Sequence, residues 1–164
     1  MNASFAGYMP PEGNISVISQ SGALCTAILD ASAHRHLGLA KMISIGNKAD
    51  LNESDLLLQL AEDSRTSVIM AYLEDIVSGD EFVKAAAETS TSKPVVILKS
   101  GTTQAGQKAA SSHTGVLAGA EIAYGAAFKR SGVIRADTFD SLFDYATAFA
   151  MQPLPRGKRI LIVT

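Results

Sequence analysis

The chain has 164 residues, of which 47% are hydrophobic and 18% charged, a balance that excludes a disordered chain and suits one domain. The formal net charge of -2 excludes a general electrostatic interaction with nucleic acid. The single cysteine, Cys25, cannot form an internal disulfide, and no signal peptide or membrane span is recognisable, so we expect a cytoplasmic protein.

Short β-rich runs alternate with segments of helical period along the chain. Several of the runs lack polar alternation, which is typical of strands covered on both faces. Five strands are predicted, over residues 14–19, 40–45, 67–73, 94–98 and 133–135. Because strands that alternate with helices form parallel sheets, the sequence predicts an α/β fold, a flavodoxin-like doubly wound parallel sheet in a three-layer αβα arrangement.

The predicted helices have recognisable ends. Asn52 with Asp55, and Ser78 with Glu81, have the spacing of an N-cap and its third helical residue, and the second pair predicts a capping box. Gly132 follows a basic last turn and predicts a helix C-cap. The last helix is predicted to bury one face, formed by Phe139, Leu142, Phe143, Ala146, Phe149 and Ala150.

Both ends of the chain differ in composition from its middle. Residues 1–13 contain two consecutive prolines and predict an extended linker. Residues 14–152 form the predicted domain, and residues 153–164 predict a second linker followed by the first strand (RILIVT) of a truncated following domain. An apolar strand without a partner favours aggregation when it is exposed, so we expect further sequence to cover it.

The segment 99–119 is the strongest functional candidate. It reads KSGTTQAGQKAASSHTGVLAG, has no large apolar residue before Val116, and is longer than most connections in a compact domain. Its small residues permit motion rather than packing. His113 lies near its end, and a neutral imidazole can attack an electrophile without a separate base. From the residues alone, His113 is either that nucleophile or a histidine on a surface loop.

Two other loops are predicted to lie at the carboxyl ends of strands, where such folds bind ligands. Ser21 and Gly22 follow the first strand and open a helix, which predicts either an anion site or an ordinary serine N-cap. Glu74 and Asp75 follow the third strand, where a carboxylate can accept the N–H of an imidazole, or can simply face solvent.

The remaining candidates are weaker. His34 and His36 lie two residues apart on a helix and point to different faces, so no metal site is predicted there. Cys25 is interpreted as a core thiol. The turn over residues 46–50 either binds substrate or only connects two elements. The chain contains no Walker A or G-x-G-x-x-G pattern, so any nucleotide site must come from elsewhere.

Four motifs, in order, resemble those of the NDP-forming acyl-CoA synthetases, in particular the ADP-forming acetate–CoA ligases, which are related to the α subunit of succinyl-CoA synthetase. The motifs are NASFAGYMPPEGNISVISQSGAL from Asn2, SIGNKADLNESD from Ser44, YLEDI from Tyr72 and LKSGTTQAGQKAASSHTGVLAG from Leu98. The resemblance covers essentially the whole chain. It implies a flavodoxin-like succinyl-CoA synthetase domain within an acid–thiol ligase.

The resemblance also implies roles for particular residues. His113 is the histidine that is transiently phosphorylated, and Glu74 orients it. Ser21 and Gly22 hold the phosphoryl group, together with the residues that flank the histidine, Ser112, Thr114 and Gly115. The implied reaction is acyl-CoA + ADP + phosphate ⇌ carboxylic acid + CoA + ATP. An acyl phosphate gives its phosphoryl group to His113, which passes it to ADP.

The resemblance places the cofactors outside this chain. CoA is expected on a CoA-binding domain before Met1, and ADP or ATP with Mg²⁺ on an ATP-grasp domain after Thr164 or on another chain. Residues 1–13 are then the linker from that CoA-binding domain. No cofactor and no metal are expected on this fragment alone, which is expected to be inactive by itself, and the full enzyme is expected to be an oligomer. Neither a nucleic acid nor a membrane is an expected partner.

Three other classes of protein have this predicted fold or contain this region. Some protein lysine acetyltransferases carry a degenerate, non-catalytic copy of this region that has lost the histidine. The intact SSHTG favours the catalytic interpretation, and the sequence that follows this chain would decide between the two. A receiver domain of the same fold needs an acidic pair after the first strand, where this chain has Gln20-Ser21-Gly22. A flavin-binding flavodoxin is disfavoured because the chain has no Trp and few other aromatic residues.

Overall fold

The computed structural model describes residues 7, 9–101, 120–155, 157 and 159–163. Strands and helices alternate there as predicted, and each of the five strands predicted within residues 14–152 is present, with ends that differ by at most two residues. The strands are β1 (Glu12–Ser19), β2 (Leu39–Ser44), β3 (Val68–Leu73), β4 (Val95–Lys99) and β5 (Ile134–Ala136). The helices are α1 (Gly22–His34), α2 (Glu53–Glu62), α3 (Gly79–Ser90), α4 (Ala120–Ser131) and α5 (Phe139–Met151).

The five strands form one parallel sheet in the order β2-β1-β3-β4-β5. β2 lies on one side of β1, and β3, β4 and β5 lie on the other. The order of the strands therefore reverses direction at β1, which is the topological switch point of the sheet. In register, Ser19 is level with Ser44 and Tyr72, and Leu73 is level with Lys99. The loops after these residues leave the sheet on one side, called here the carboxyl edge. The predicted flavodoxin-like topology is confirmed.

Helices cover both faces of the sheet and enclose two separate apolar cores. One core lies under α1 and α5 and the other under α2, α3 and α4. Neighbouring residues of a strand contribute to opposite cores: Val17 belongs to the first and Ile18 to the second, and both are fully buried. This explains why the strands read as continuous apolar runs and confirms the three layers. The predicted apolar face of α5 lies in or against the first core.

The helix starts partly differ from prediction. Asn52 and Asp55 form a capping box at the start of α2. Ser78 is the N-cap of α3, but its side chain makes no capping hydrogen bond, so the capping box predicted there is wrong. A serine reaches the helix N–H groups in only some rotamers, which spacing does not determine. A capping box that was not predicted joins Thr138 and Ser141 at the start of α5.

The first strand begins at Glu12, two residues inside the predicted linker 1–13. The N–H of Leu39 donates to the carbonyl of Pro11 at 2.9 Å and extends the pairing with β2 in that direction. The two main chains are very close here, since a Cβ on Gly13 would lie 2.3 Å from the carbonyl carbon of Gly38. Glycine is therefore required at this contact, and the linker interpretation does not apply to residues 12 and 13.

The segment 159–163, predicted to belong to the first strand of a following domain, has no regular secondary structure in this chain. Its residues pair with no strand of the sheet, and Ile160, Leu161, Ile162 and Val163 are between 80% and 88% exposed. A strand needs hydrogen-bond partners along its length, and those of a following domain would lie outside this chain, so this strand stays a prediction. Among the described residues, no helix combines the length and the apolar character that crossing a membrane requires.

Candidate functional site

The loop between β1 and α1 places Ser21 at the start of the helix. The Ser21 Oγ accepts the N–H of Leu24 at 3.3 Å, and its carbonyl accepts the N–H of Cys25 at 3.1 Å. Ser21 therefore has the ordinary N-cap role that the sequence allowed. The fully buried Ser19 fixes this turn, because its hydroxyl donates to the Ser21 carbonyl at 2.9 Å and accepts the Ser21 N–H at 3.2 Å.

The first turn of α1 leaves two N–H groups for an anion. The Ser21 N–H is not one of them, because it already donates to the Ser19 hydroxyl. The N–H groups of Gly22 and Ala23, both exposed, have no acceptor among the described residues. A phosphoryl group placed there would accept from these groups and interact favourably with the positive end of the helix dipole.

The loop after β3 is bonded directly to this turn by Gln20. Its side-chain oxygen, Oε1, accepts the N–H of Glu74 at 2.8 Å and that of Asp75 at 3.2 Å. Its Nε2 donates to the Asp75 Oδ1 at 2.6 Å, and its main-chain N–H donates to the Tyr72 carbonyl at 3.0 Å. One side chain therefore uses both its acceptor and its donor to hold two consecutive residues of the neighbouring loop.

A buried lysine reaches the same loop from the turn after β2. The Lys48 Nζ lies 2.8 Å from the Glu53 Oε2 and 2.7 Å from the Asp75 Oδ1, and it donates to the Asp75 carbonyl at 2.8 Å. The side chains of Lys48 and Glu53 are 2% and 1% exposed. The Glu53 Oε1 accepts the N–H of Val77 at 2.9 Å. The turn over residues 46–50 thus holds the loop after β3 through Lys48, and its substrate-binding interpretation stays a prediction.

The electrostatics of this edge favour a charged Asp75. Burial raises the pKa of its carboxyl group, but hydrogen bonds from Lys48 and Gln20 and the charges of Lys48 and Lys99 outweigh that effect. The pKa of Asp75 is therefore lowered from its ordinary value, and the carboxylate is ionised at neutral pH. Lys99, the last residue of β4, is buried, donates to the Ser100 carbonyl at 2.6 Å and lies 4.5 Å from the ring centre of Tyr124.

Glu74 lies between these contacts and is held through its main chain. Its side chain is half-buried, and among the described residues its carboxylate has no hydrogen-bond partner. The structure therefore brings together, at the switch point of the sheet, a helix start with two available N–H groups and a carboxylate on a firmly held loop. The two N–H groups can bind an anionic group, and the Glu74 carboxylate can accept a hydrogen bond from a neighbouring side chain.

Residues 12–149 match the family model described as the succinyl-CoA ligase like flavodoxin domain. The chain belongs to this family. It is 47% identical over all 164 residues to the ADP-forming acetate–CoA ligase of Methanocaldococcus jannaschii, of which it covers 23%. It is 45% identical over 166 aligned positions to the ADP-forming 4-hydroxybutyrate–CoA ligase of Nitrosopumilus maritimus, of which it covers 24%.

A solved structure has the same fold. It is the dinucleotide-forming acetyl-coenzyme A synthetase 1 of Ca. Korarchaeum cryptofilum in complex with phosphate and ADP, with a TM-score of 0.89 and 40% sequence identity. The match covers 96% of this chain and 34% of that chain. The chain therefore spans about a quarter to a third of the relatives it matches.

Four predicted site residues of this succinyl-CoA ligase-like domain lie outside the described residues: Ser112, His113, Thr114 and Gly115. Their roles stay predictions. The segment that carries them follows β4, which ends at Lys99 on the carboxyl edge, next to the loop that contains Glu74. Topology therefore starts this segment at the same edge of the sheet as the Gly22 and Ala23 N–H groups.

The other two histidines lie elsewhere: His34 ends α1 and His36 lies beyond it, so the prediction that both are on a helix is wrong for His36. The exposed His34 has its Nδ1 2.9 Å from the carbonyl oxygen of Asp30 and 3.5 Å from its carboxylate. His36 follows the helix with a left-handed backbone, φ 54°. In the described part of the chain, no group of three or more His, Cys, Asp or Glu side chains is arranged to hold a metal ion. Cys25 is buried in α1, as its interpretation as a core thiol predicts.

Several residues of the site were missed from the sequence. Gln20, Lys48, Glu53 and Lys99 each hold or charge the loop after β3, and none was predicted to act on that loop. Their signal was positional for three of them, since Gln20, Lys48 and Lys99 stand at or just after the end of a strand. Glu53 gave no such signal, because an acid in the first turn of a helix is ordinarily a solvated residue that favours the dipole.

Proposed function

We propose that this chain is the phosphohistidine-carrying domain of an ADP-forming acyl-CoA ligase, which catalyses acyl-CoA + ADP + phosphate ⇌ carboxylic acid + CoA + ATP. The observation that supports it best is similarity over the whole chain to two ADP-forming CoA ligases, at 47% and 45% identity. The available N–H groups at the start of α1 and the held loop at Glu74 supply what a phosphorylated histidine needs beside it. The two relatives use different acids, so the acyl group is left open.

The proposed chemistry on this chain is one reversible phosphoryl transfer. Phosphate attacks the thioester carbonyl and releases CoA as its thiol, forming an acyl phosphate. His113 then attacks the phosphorus atom, a P–N bond forms, the P–O bond to the acyl group breaks, and the carboxylate leaves. Glu74 accepts the N–H of the other imidazole nitrogen, which fixes the tautomer and stabilises the positive charge that the ring gains. Transfer to ADP regenerates the neutral histidine.

The start of α1 would receive the phosphoryl group while His113 carries it. The N–H groups of Gly22 and Ala23 donate to its oxygens, and Ser21 holds the first turn in place. The helix dipole contributes only about 0.3–1 kcal/mol, or up to about 2 kcal/mol in a partly buried geometry. This is enough to orient the group and small enough to let it leave for ADP.

We assign the other ligands to parts of the ligase beyond this chain. The chain covers 23% and 24% of the two relatives, so most of each ligase lies in other domains. CoA would be held by a CoA-binding domain and ADP or ATP by an ATP-grasp domain or subunit, where Mg²⁺ supplies charge neutralisation to the phosphates. The fragment would then be inactive alone, and we propose the cytoplasm as its location because its one cysteine is a buried free thiol.

The test is to label the complete ligase that contains this chain with [γ-³²P]ATP, because the proposed transfer to ADP is reversible and this direction requires no particular acyl group. We expect an acid-labile, base-stable label, as a P–N bond gives, in the wild type and none in His113→Ala. His36→Ala is the matched control, because it removes an exposed histidine away from the carboxyl edge, and it should retain the label. A label that persists in His113→Ala would refute the proposed role of that residue.

The proposed role of Glu74 gives a second test in the same enzyme. Glu74→Gln keeps the main-chain bond to Gln20 but weakens the acceptor offered to the imidazole. We expect phosphorylation to slow about ten- to hundredfold without stopping, the range seen when a carboxylate that orients a metal-binding histidine is removed. Rapid-quench measurement of label formation checks this, and an unchanged rate would show that Glu74 does not orient His113.

A further inference from the structure

One glutamine holds the main chain at Glu74. The two N–H groups of Glu74 and Asp75 converge on the single oxygen Oε1 of Gln20, at 2.8 Å and 3.2 Å. Gln20 itself is fixed by its main-chain N–H on the Tyr72 carbonyl and by its Nε2 on the Asp75 carboxylate. Both loops that meet at the switch point of the sheet are therefore joined through this one side chain.

Asp75, which accepts a hydrogen bond from Gln20 and is next to Glu74, is also held by Lys48. The Lys48 Nζ donates to the Asp75 Oδ1 at 2.7 Å and to the Asp75 carbonyl at 2.8 Å. It also lies 2.8 Å from the Oε2 of the buried Glu53. We call Gln20, Lys48, Glu53 and Asp75 the Gln20–Lys48 network. Its members come from the turns after β1, β2 and β3 and from the start of α2. Residues from three successive βα units thus hold the dipeptide Glu74-Asp75 in place.

The Gln20–Lys48 network surrounds Glu74 and holds its main chain. None of its hydrogen bonds or ion pairs uses the Glu74 carboxylate, while the main chain on both sides of Glu74 is fixed. The arrangement leaves the carboxylate available and restricts where its backbone can move. A carboxylate that must meet an imidazole needs this combination, since a misplacement of about 1 Å can cost about a hundredfold in rate.

We propose that Gln20 is a positioning residue for Glu74, and that the Gln20–Lys48 network sets the location of the Glu74 carboxylate relative to the start of α1. This inference rests on the proposed function, because it needs Glu74 to act on His113. It goes beyond that function by assigning a role to Gln20, whose described hydrogen bonds all go to β3 and to the loop that follows it.

The experiment replaces Gln20 in the complete ligase and measures a single turnover of phosphorylation by acetyl phosphate. Gln20→Met keeps the length of the side chain and removes its acceptor and its donor. Gln59→Met is the matched control, because it makes the same change at an exposed position of α2. The assay is run at a temperature where circular dichroism shows every variant to be folded. We expect Gln20→Met to lower the maximal rate about tenfold without changing the half-saturating concentration of acetyl phosphate, and Gln59→Met to match the wild type.

A double variant separates positioning from general damage. If Gln20 acts through Glu74, Gln20→Met should slow the wild type about tenfold but should hardly slow an enzyme that already carries Glu74→Gln. A merely structural defect would slow both backgrounds by the same factor. Equal factors in the two backgrounds, or a Gln20→Met rate equal to that of the wild type, would overturn the inference.

The failure of the proposed function would give a different result. If the wild type forms no phosphohistidine, or if His113→Ala is still labelled, the role of His113 fails before Gln20 is considered. If His113 is labelled and Gln20→Met is as fast as the wild type, the proposed function stands and only the positioning role of Gln20 falls.

Discussion

The buried ion pair between Lys48 and Glu53 gives the sharpest test of how the carboxyl edge is held together. Lys48→Met replaces the ammonium group by an apolar chain of similar length. The Glu53 carboxylate is 1% exposed and would then lose its cation, while the Asp75 side chain is 36% exposed and keeps access to water. The main cost should therefore come from Glu53 rather than from Asp75.

The magnitude follows from leaving a buried charge unpaired. Removal of one partner of a buried pair costs about 3–5 kcal/mol in the free energy of unfolding. In a chain of this size about 1 kcal/mol corresponds to about 2–4 °C in the unfolding midpoint, so Lys48→Met should lower the midpoint by about 6–20 °C. Glu53→Gln should cost less, because Lys48 keeps Asp75 and the amide oxygen can still accept the Val77 N–H.

Urea unfolding of the chain and its variants measures these costs. The decisive comparison is the double variant Lys48→Met with Glu53→Gln, which leaves no unpaired charge at the buried position. We expect the double variant to be more stable than Lys48→Met alone. Groups in contact usually have interaction energies of about 0.5–3 kcal/mol, and we expect about 1–2 kcal/mol between these two substitutions. A loss below about 1 kcal/mol in Lys48→Met, or a double variant less stable than the single one, would refute this account.

Two further predictions concern other contacts of the fold. Gly13→Ala puts a Cβ 2.3 Å from the carbonyl carbon of Gly38 and should cost about 1–3 kcal/mol in thermal unfolding, whereas Gly79→Ala, with nothing within 4 Å, should cost nothing. An equal cost in both would contradict the close approach. The hydrogen bond from Lys41 is the largest cause that lowers the pKa of Asp63 from 3.8 to about 2. Because this pKa is depressed, the stability that Asp63 contributes is complete above pH 3.8 and lost as pH falls through about 2. The difference in unfolding midpoint between the wild type and Asp63→Asn should therefore shrink over that interval, and a constant difference would contradict the shift.

The fold was predictable because its signals are local. Each strand is a short apolar run between helices that bury one face, and the alternation alone selects a parallel sheet. The ends of strands were less predictable, since they depend on partners distant in sequence. Residue 39 belongs to β2 and residue 12 to β1 because the N–H of Leu39 finds the carbonyl of Pro11 across the sheet. Neither residue carries a local signal of that contact.

The site divides in the same way. The N-cap role of Ser21 depends on residues within one turn and could be read from the sequence. The bond from Gln20 to Glu74 spans 54 positions and that from Lys48 to Asp75 spans 27, so neither was visible in any window. Topology could place these loops at one edge, but it could not say which side chains join them. Lys99 shows the same limit, because a lysine at a strand end is ordinarily exposed and this one is buried.

The charges at the carboxyl edge explain why weak donors suit the proposed transfer. Glu53 and Asp75 both contact the Lys48 ammonium, so its charge is compensated within the Gln20–Lys48 network before any phosphoryl group arrives. A phosphoryl group beside α1 would then be held mainly by the N–H groups of Gly22 and Ala23, each a modest interaction. A histidine that receives its phosphoryl group at one site and delivers it at another must not bind so tightly at the first site that it cannot leave. A site built from main-chain donors, next to a carboxylate that acts on the ring rather than on the phosphate, meets that requirement.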